Sequence, residues 1–269
     1  MELITVPLYL DLHLAVRAFE LLLGLSLVLQ CIEYLRIPAL DRVNDWAILR
    51  QEIPTHPPGV RALLDLLLSP RTYRVLMVLR LALAVGLMSG GLGLAGAAML
   101  FAIALVLLLR WRGAFNGGSD FMTLVVLTGL LIAQVVSYFA SPELGWRAGF
   151  WYITIQSITS YFMSGSVKLL RSEWRNGSAM ITFLNAAIHG PLPTGHWLRK
   201  AWLAALGSWA FILWECLAPL ALLDARLALL FCFIAALFHF LVFWFFGLNR
   251  FFWAWLATFP AIVWCAGQI

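Results

Sequence analysis

A chain of 269 residues that is 63% hydrophobic and only 12% charged carries about half the charged share of a soluble globular domain, and no water-soluble fold hides that much apolar surface. Its 18 basic residues outnumber the 13 acidic ones for a net charge of +5. In a membrane protein that excess reports loops facing the cytoplasm and anionic lipid, so a nucleic-acid partner is set aside. Long apolar runs such as 91–109 do not alternate in polarity, which excludes barrel strands and leaves helices.

Crossing a bilayer takes about 20 mostly apolar residues per helix. Run lengths predict about eight spans, near 13–35, 74–90, 91–109, 120–139, 148–168, 201–222, 227–247 and 250–267. The expected fold is all-α: a polytopic integral membrane helical bundle forming a single domain over 1–269, with no soluble lumenal domain and with surface or re-entrant helices after the first and fifth spans.

At the N-terminus Glu2 and Asp11 stand where a signal peptide would be basic, and Arg17 and Glu20 interrupt the apolar stretch, so helix one is expected to be retained. Arg17 and Glu20, three apart, are expected to pair. The connection 36–73 is broken by Pro38, Pro54, Pro57, Pro58 and Pro70; within it 60–69 is too short to span and reads as a helix on or dipping into the membrane surface. Arg80 reads either as a snorkelling side chain or as the counter-ion of a distant carboxylate. Gly86, Gly90, Gly91, Gly93 and Gly96 predict close helix packing and a tight hairpin. Cys31, Cys216, Cys232 and Cys265 lack CxxC or Cys/His spacing and read as small buried hydrophobes, with no metal expected.

The strongest polar pattern is in the fifth span, where Tyr152, Gln156, Ser160, Ser164 and Lys168 recur every fourth residue. An α-helix is expected to align them along one face, with Ile153, Ile155, Ile158, Phe162 and Val167 pointing elsewhere. A lysine that merely snorkels needs no such ladder beneath it, which favours a functional Lys168. The segment after it is polar over 171–178, then briefly apolar to Ile188, then His189-Gly190-Pro191-Leu192-Pro193. That composition suits a cap or re-entrant turn over a cavity.

Glu215 lies mid-span, four residues before Pro219, which frees a backbone carbonyl one turn earlier; it is either hydrogen-bonded scaffold or part of a polar site. His239 is either a proton relay or a packing residue. The aromatic run Trp244, Phe245, Phe246, Phe251, Phe252, Trp253 and Trp255 suits helix packing and interface anchoring, with a ring-binding cavity as the alternative. Basic residues concentrate in 36–74, 110–112 and 168–200, which places both termini outside if eight spans are counted.

The run Tyr161-Phe162-Met163-Ser164-Gly165-Ser166-Val167-Lys168-Leu169, with Trp174-Arg175-Asn176-Gly177-Ser178-Ala179-Met180 after it, resembles the signature of the horizontally transferred transmembrane (HTTM) domain. That domain is the membrane portion of vitamin K-dependent γ-glutamyl carboxylase and occurs in many bacterial proteins. Asn116-Gly117-Gly118-Ser119-Asp120, Phe238-His239, Phe259-Pro260 and the pair Glu215 and Pro219 are similar to further family features.

In the carboxylase, the lysine at the position matching Lys168 is regarded as the base that deprotonates reduced vitamin K; oxygenation then yields a base able to remove a glutamate γ-proton, and carbon dioxide adds there. The resemblance implies Lys168 as general base with Glu215 or His239 orienting it or relaying protons. Tyr161, Ser164, Gly165, Trp174, Gly177 and Asp120 are implied as substrate- or cofactor-binding residues. A reduced, vitamin K-like quinone is the implied cofactor, in a pocket walled by the aromatic-rich final spans. The large lumenal domain of the carboxylase has no counterpart in these residues, so a quinol-dependent oxygenase, epoxidase or reduced carboxylase-like activity is expected rather than glutamate carboxylation itself. The alternative is a non-catalytic accessory protein for maturation or export of a secreted peptide. The expected partners are the bilayer, an apolar quinol or lipid and, in the alternative, a peptide or protein; the expected location is a bacterial inner membrane.

Overall fold

The computed structural model describes residues 10–36, 51, 57–111 and 117–269. The readings on Glu2, Pro38, Pro54 and Asn116 lie outside them. Every regular element among the described residues is a helix. Four are long and apolar enough to cross a membrane: α1 (Leu12–Arg36), α4 (Leu94–Trp111), α5 (Gly117–Phe139) and α10 (Ala225–Phe246). The chain reads as an α-helical membrane protein on that observation.

The other expected spans differ in length or polarity. α3 (Pro70–Met88) carries Arg71, Arg74 and Arg80, and α6 (Pro142–Leu170) carries polar residues along much of its length. α9 (Ala201–Cys216) stops short of 222: Pro219 cannot supply an amide to the ladder, and Ala218–Leu223 continues as a tighter 3-10 helix. The last apolar stretch is two eight-residue helices, α11 (Asn249–Leu256) and α12 (Phe259–Ala266). Pro260 is accepted in the first turn of a new helix but not in the interior of an old one. At about 1.5 Å per residue, each spans about 12 Å, well short of a hydrocarbon core of about 30 Å.

Two compact units share the chain. The first is built from Val16–Gly149 with Trp253–Ala257. In it, Arg17 pairs with Glu20 and also donates from Nη2 to the carbonyl of Met88 at 2.7 Å, satisfying the C-terminal end of α3. α2 (Pro58–Leu67) is the short amphipathic helix: Leu64 is buried with Leu68 against Tyr73 and Val106, while Val60, Leu63 and Leu66 are exposed. The glycines of 86–96 make the hairpin between α3 and α4, where Gly90 takes φ +78°. They do not carry the tight helix contacts. In this unit those fall at Gly24 on α1, where a Cβ would lie 3.0 Å from the carbonyl oxygen of Ala84 of α3, and at Gly145 and Gly149 on α6, where a Cβ would press on the carbonyl oxygens of Ala133 and Gly129 of α5. Small residues spaced by four let two helix backbones meet.

The second unit comprises Phe150–Phe252 and Thr258–Ile269 with the residues before Val16. α10 packs against the 3-10 helix and α12, burying Ala228, Phe231, Cys232 and Ala235. α12 is sequestered from Pro260 to Ala266, so the end of the chain forms an inner strut. Between α6 and α9 the chain makes two short helices, α7 (Ser172–Arg175) and α8 (Ser178–Phe183), and a further 3-10 turn, Trp197–Arg199. Cys31, Cys232 and Cys265 are buried, and all four cysteines are free thiols.

Candidate functional site

The site lies within the second unit and begins with spacing on α6. Tyr161, Ser164, Gly165 and Lys168 stand at i, i+3, i+4 and i+7, the positions that share one helix face. Gly165 decides how near that face comes to α9: a Cβ there would lie 2.7 Å from the amide nitrogen of Cys216 and 2.8 Å from Cβ of Glu215. With only hydrogen at Gly165, α9 comes close enough for Glu215 to meet the amine one turn further along α6.

The Lys168 ammonium donates to Glu215 Oε1 at 2.6 Å and Oε2 at 2.5 Å, and to Ser164 Oγ at 2.7 Å. The Ser164 hydroxyl donates in turn to Glu215 Oε1 at 3.2 Å. An ammonium has three protons, and all three are engaged. The side chains are 16% exposed for Lys168 and 3% for Glu215, so this is a desolvated pair of the kind that holds only when its remaining hydrogen-bonding capacity is met.

Two turns earlier on the same face, the Tyr161 hydroxyl and His239 Nε2 of α10 are hydrogen-bonded at 2.7 Å. Trp214 and Phe231 pack edge-on against the Tyr161 ring, at 5.2 and 5.1 Å between centroids. Phe238 and Phe251 flank His239, each at 5.0 Å. Seven residues of helix amount to about 10 Å, so Tyr161 and His239 form a second polar pair along the seam rather than a direct partner of Lys168.

Beside Lys168 is a cavity of about 250 Å³. Phe211, Phe238, Leu241, Val242, Phe245 and Phe246 wall it from α9 and α10, while Trp174, Met180, Phe183, Leu184 and Leu198 close it from the segment after α6. Lys168 is its one ionisable lining residue among the described residues. The Lys168 Nζ lies 5.1 Å from the centre of the Trp174 ring, within reach of a cation–π contact.

The covering segment is fastened by the residues of the Trp-x-x-Gly run. Ser208 of α9 donates to the carbonyl of Trp174, and Trp209 Nε1 donates to the carbonyl of Arg175 at 3.1 Å. Gly177 takes φ +81°, and any Cβ there would collide with the backbone of Ala204 and Ala205. Glycine alone both adopts that conformation without strain and permits the approach.

The expected five-residue ladder is not one face. Steps of four residues advance about 400°, so each rung turns about 40° past the last. Ser164 and Lys168 meet Glu215, whereas Gln156 and Ser160 are exposed, and Ser160 spends its hydroxyl on the carbonyl of Gln156 at 2.8 Å. Ile153 and Ile158, expected on another face, are buried. Asp120 sits in the first turn of α5, in the first unit, where it accepts a hydrogen bond from Tyr34 Oη at 3.3 Å; it is not among the residues around Lys168. Ser208 and Trp214 were missed at sequence level. Ser208, a hydroxyl in the apolar run of α9, is a signal that could have marked a polar contact.

The chain matches no protein-family model, no curated protein and no solved structure.

Proposed function

We propose that this chain is a multi-pass membrane enzyme of the HTTM kind, whose Lys168–Glu215 pair accepts a proton from an apolar, ring-bearing ligand such as a reduced quinone. The observation that carries the reading is a desolvated amine, paired and held by Ser164, at the wall of a carbon-lined cavity. About eight spans follow if α3, α6, the 201–223 segment and the α11–α12 pair cross alongside the four long apolar helices. A bacterial inner membrane suits the distribution of basic residues.

The fit of a quinol rests on the walls. Phe211, Phe238, Phe245 and Phe246 with Trp174 offer ring faces, Leu241 and Val242 suit an isoprenoid tail, and burial of such a body is driven by apolar area. A quinol would supply an acidic hydroxyl and reducing equivalents. The chain's part is proton handling. With its three protons engaged, Lys168 can act as a base only after passing one to the Glu215 carboxylate; the neutral amine then takes the proton of the ligand hydroxyl. The pair thereby gains one proton, shared between ammonium and carboxylic acid. Trp174 covers the amine, and Ser164 holds it in place through both protonation states, since a hydroxyl both accepts and donates.

The test is oxidation of a quinol by dissolved oxygen, the electron acceptor, in the presence of purified protein in lipid nanodiscs, comparing Lys168→Ala, Lys168→Arg and Glu215→Gln with the unaltered chain. Loss of turnover in all three, with quinol still bound by the arginine variant, supports the reading. Turnover unchanged in Lys168→Ala overturns it.

The complete engagement of the ammonium favours a second reading, in which the pair is a permanent strut and the cavity holds a lipid or a peptide segment for an accessory role in maturing a secreted peptide. In that case a lipid or peptide co-purifies with Lys168→Ala as well as with the unaltered chain.

A further inference from the structure

The end of the second unit at which the covering segment lies carries an excess of positive charge. Residues 171–200 hold four basic side chains, Arg171, Arg175, Arg199 and Lys200, against one acidic, Glu173. Arg199 is spent inside the segment on Leu192 and Asn185. Arg171, Arg175 and Lys200 are exposed and form no ion pair among the described residues. The far end of α10 differs: 22 residues of helix, or about 33 Å, lead back to the connection 223–226, where one acid, Asp224, and one base, Arg226, sum to zero.

The three exposed cations leave from neighbouring pieces of backbone. Arg171 and Arg175 belong to one helical turn, closed by the Arg175 amide donating to the Arg171 carbonyl at 3.2 Å, so their side chains share a face. Lys200 stands just before α9, where its carbonyl accepts from the Ala204 amide at 3.0 Å; the backbone of Ala204 is what Gly177, two residues past Arg175, abuts. A second observation, independent of charge, gives the depth of this patch. Trp197, Trp202 and Trp244 are each more than half exposed, and Trp209, whose ring holds the Arg175 carbonyl, is partly so. Further along α9 the exposed positions pass to Leu213 and Leu217. Open indole rings collect at the boundary between hydrocarbon and headgroups, and open leucines face the acyl chains.

We infer that the covering segment is a docking surface for anionic phospholipid, with Arg171, Arg175 and Lys200 meeting headgroup phosphates and Trp197, Trp202 and Trp244 seated just beneath them. Guanidinium forks match phosphate oxygens, and basic side chains at an anionic leaflet are drawn to it. Lipid is the partner, in preference to an acidic protein, because cations and open indoles occupy the same end of α10, a helix long and apolar enough to cross a membrane, where headgroups are the next layer met. The neutral connection 223–226 offers the opposite leaflet no such hold. Docking therefore selects the leaflet beside which the Lys168 cavity lies, whatever chemistry Lys168 performs.

The test is hydrogen exchange, read by mass spectrometry, of the whole chain in nanodiscs of phosphatidylcholine alone and of phosphatidylcholine mixed with phosphatidylglycerol. Peptides covering 171–178 and 196–202 are expected to exchange at least about fivefold more slowly in the anionic discs, the factor that one cation near an anionic leaflet is worth. Peptides around Asp224 are expected to be the same in both. Combining Arg171→Gln, Arg175→Gln and Lys200→Gln is expected to abolish the difference, while Arg171→Lys with Arg175→Lys, which keeps the charge, retains it. Equal exchange in the two lipids overturns the proposal, as does protection that survives the glutamine substitutions or is lost with the lysine ones. Inorganic phosphate added to the phosphatidylcholine discs is the remaining arm: protection reproduced by it would assign the patch to soluble anions and overturn the lipid reading.

Discussion

Replacing Gly165 with alanine adds one methyl group at the closest approach of α6 to α9. That carbon would lie 2.7 Å from the Cys216 nitrogen, 2.8 Å from Glu215 Cβ and 2.9 Å from Cys216 Sγ, where ordinary contacts begin at 3.4 Å. The helices must therefore part by about 0.7 Å, the difference between 3.4 and 2.7 Å, because two of the obstacles are fixed at or next to the backbone and cannot rotate away. Overpacking of this kind costs about 1–3 kcal/mol, which for a chain of this size is roughly 2–12 °C in melting temperature. The same displacement draws the Glu215 carboxylate away from Lys168. Tryptophan fluorescence of the purified chain during heating in nanodiscs reads the melting temperature. Gly195→Ala is the control, because a Cβ at Gly195 meets nothing within 4 Å. A Gly165→Ala melting temperature equal to that of Gly195→Ala would refute the argument that this glycine sets the helix separation.

Glu215→Gln leaves the ammonium of Lys168 without its countercharge and is expected to destabilise by about 3–5 kcal/mol, whereas Lys168→Met with Glu215→Leu removes both charges and loses less; unfolding midpoints of the three proteins decide. Tyr161→Phe keeps the ring packing against Trp214 and Phe231 but removes the bond to His239 Nε2, for an expected loss of about 1–3 kcal/mol; an unchanged melting point counts against that bond. Ser208→Ala withdraws the donor from the Trp174 carbonyl and is expected to raise hydrogen exchange across 174–184 more than elsewhere in the second unit, read by mass spectrometry.

Most helices were legible in the sequence because a membrane demands long apolar runs, and α1, α4, α5 and α10 announce themselves by length alone. Interruptions were harder. Pro219 marked a break that truncates α9, and Pro260 one that splits the last stretch into α11 and α12, yet mean apolarity carries across both. The partnership at the site was not legible at all. Lys168 and Glu215 are separated by 47 positions and sit on different helices, and only the depth at which α9 meets Gly165 brings them together. The ladder of polar residues misled for a geometric reason, since a four-residue step drifts around the helix and carries Gln156 and Ser160 to the exposed side. The dense glycine cluster at 86–96 draws the eye as a packing surface, but the glycines against neighbouring backbone, Gly24, Gly145, Gly149, Gly165 and Gly177, are scattered through less conspicuous stretches.

The covering segment meets α10 through the amide of Ile188, which donates to the carbonyl of Phe245 at 2.8 Å. That carbonyl belongs to the last turn of its helix, where oxygens have no acceptor role left within the helix itself. Water can replace Ile188 there with little loss, because exchanging one hydrogen bond for another nets about 1 kcal/mol. Arg199 meanwhile braces the segment from within, donating to the carbonyl of Leu192 at 2.9 Å and to Asn185 Oδ1 at 2.6 Å. The two edges of the covering segment are therefore held unequally: toward α9 by Ser208, Trp209 and the close approach at Gly177, toward α10 by this one backbone bond and the ring contacts of Phe183 with Phe246 and His189 with Trp244. The α10 edge is the one that parts at the smaller cost in hydrogen bonds.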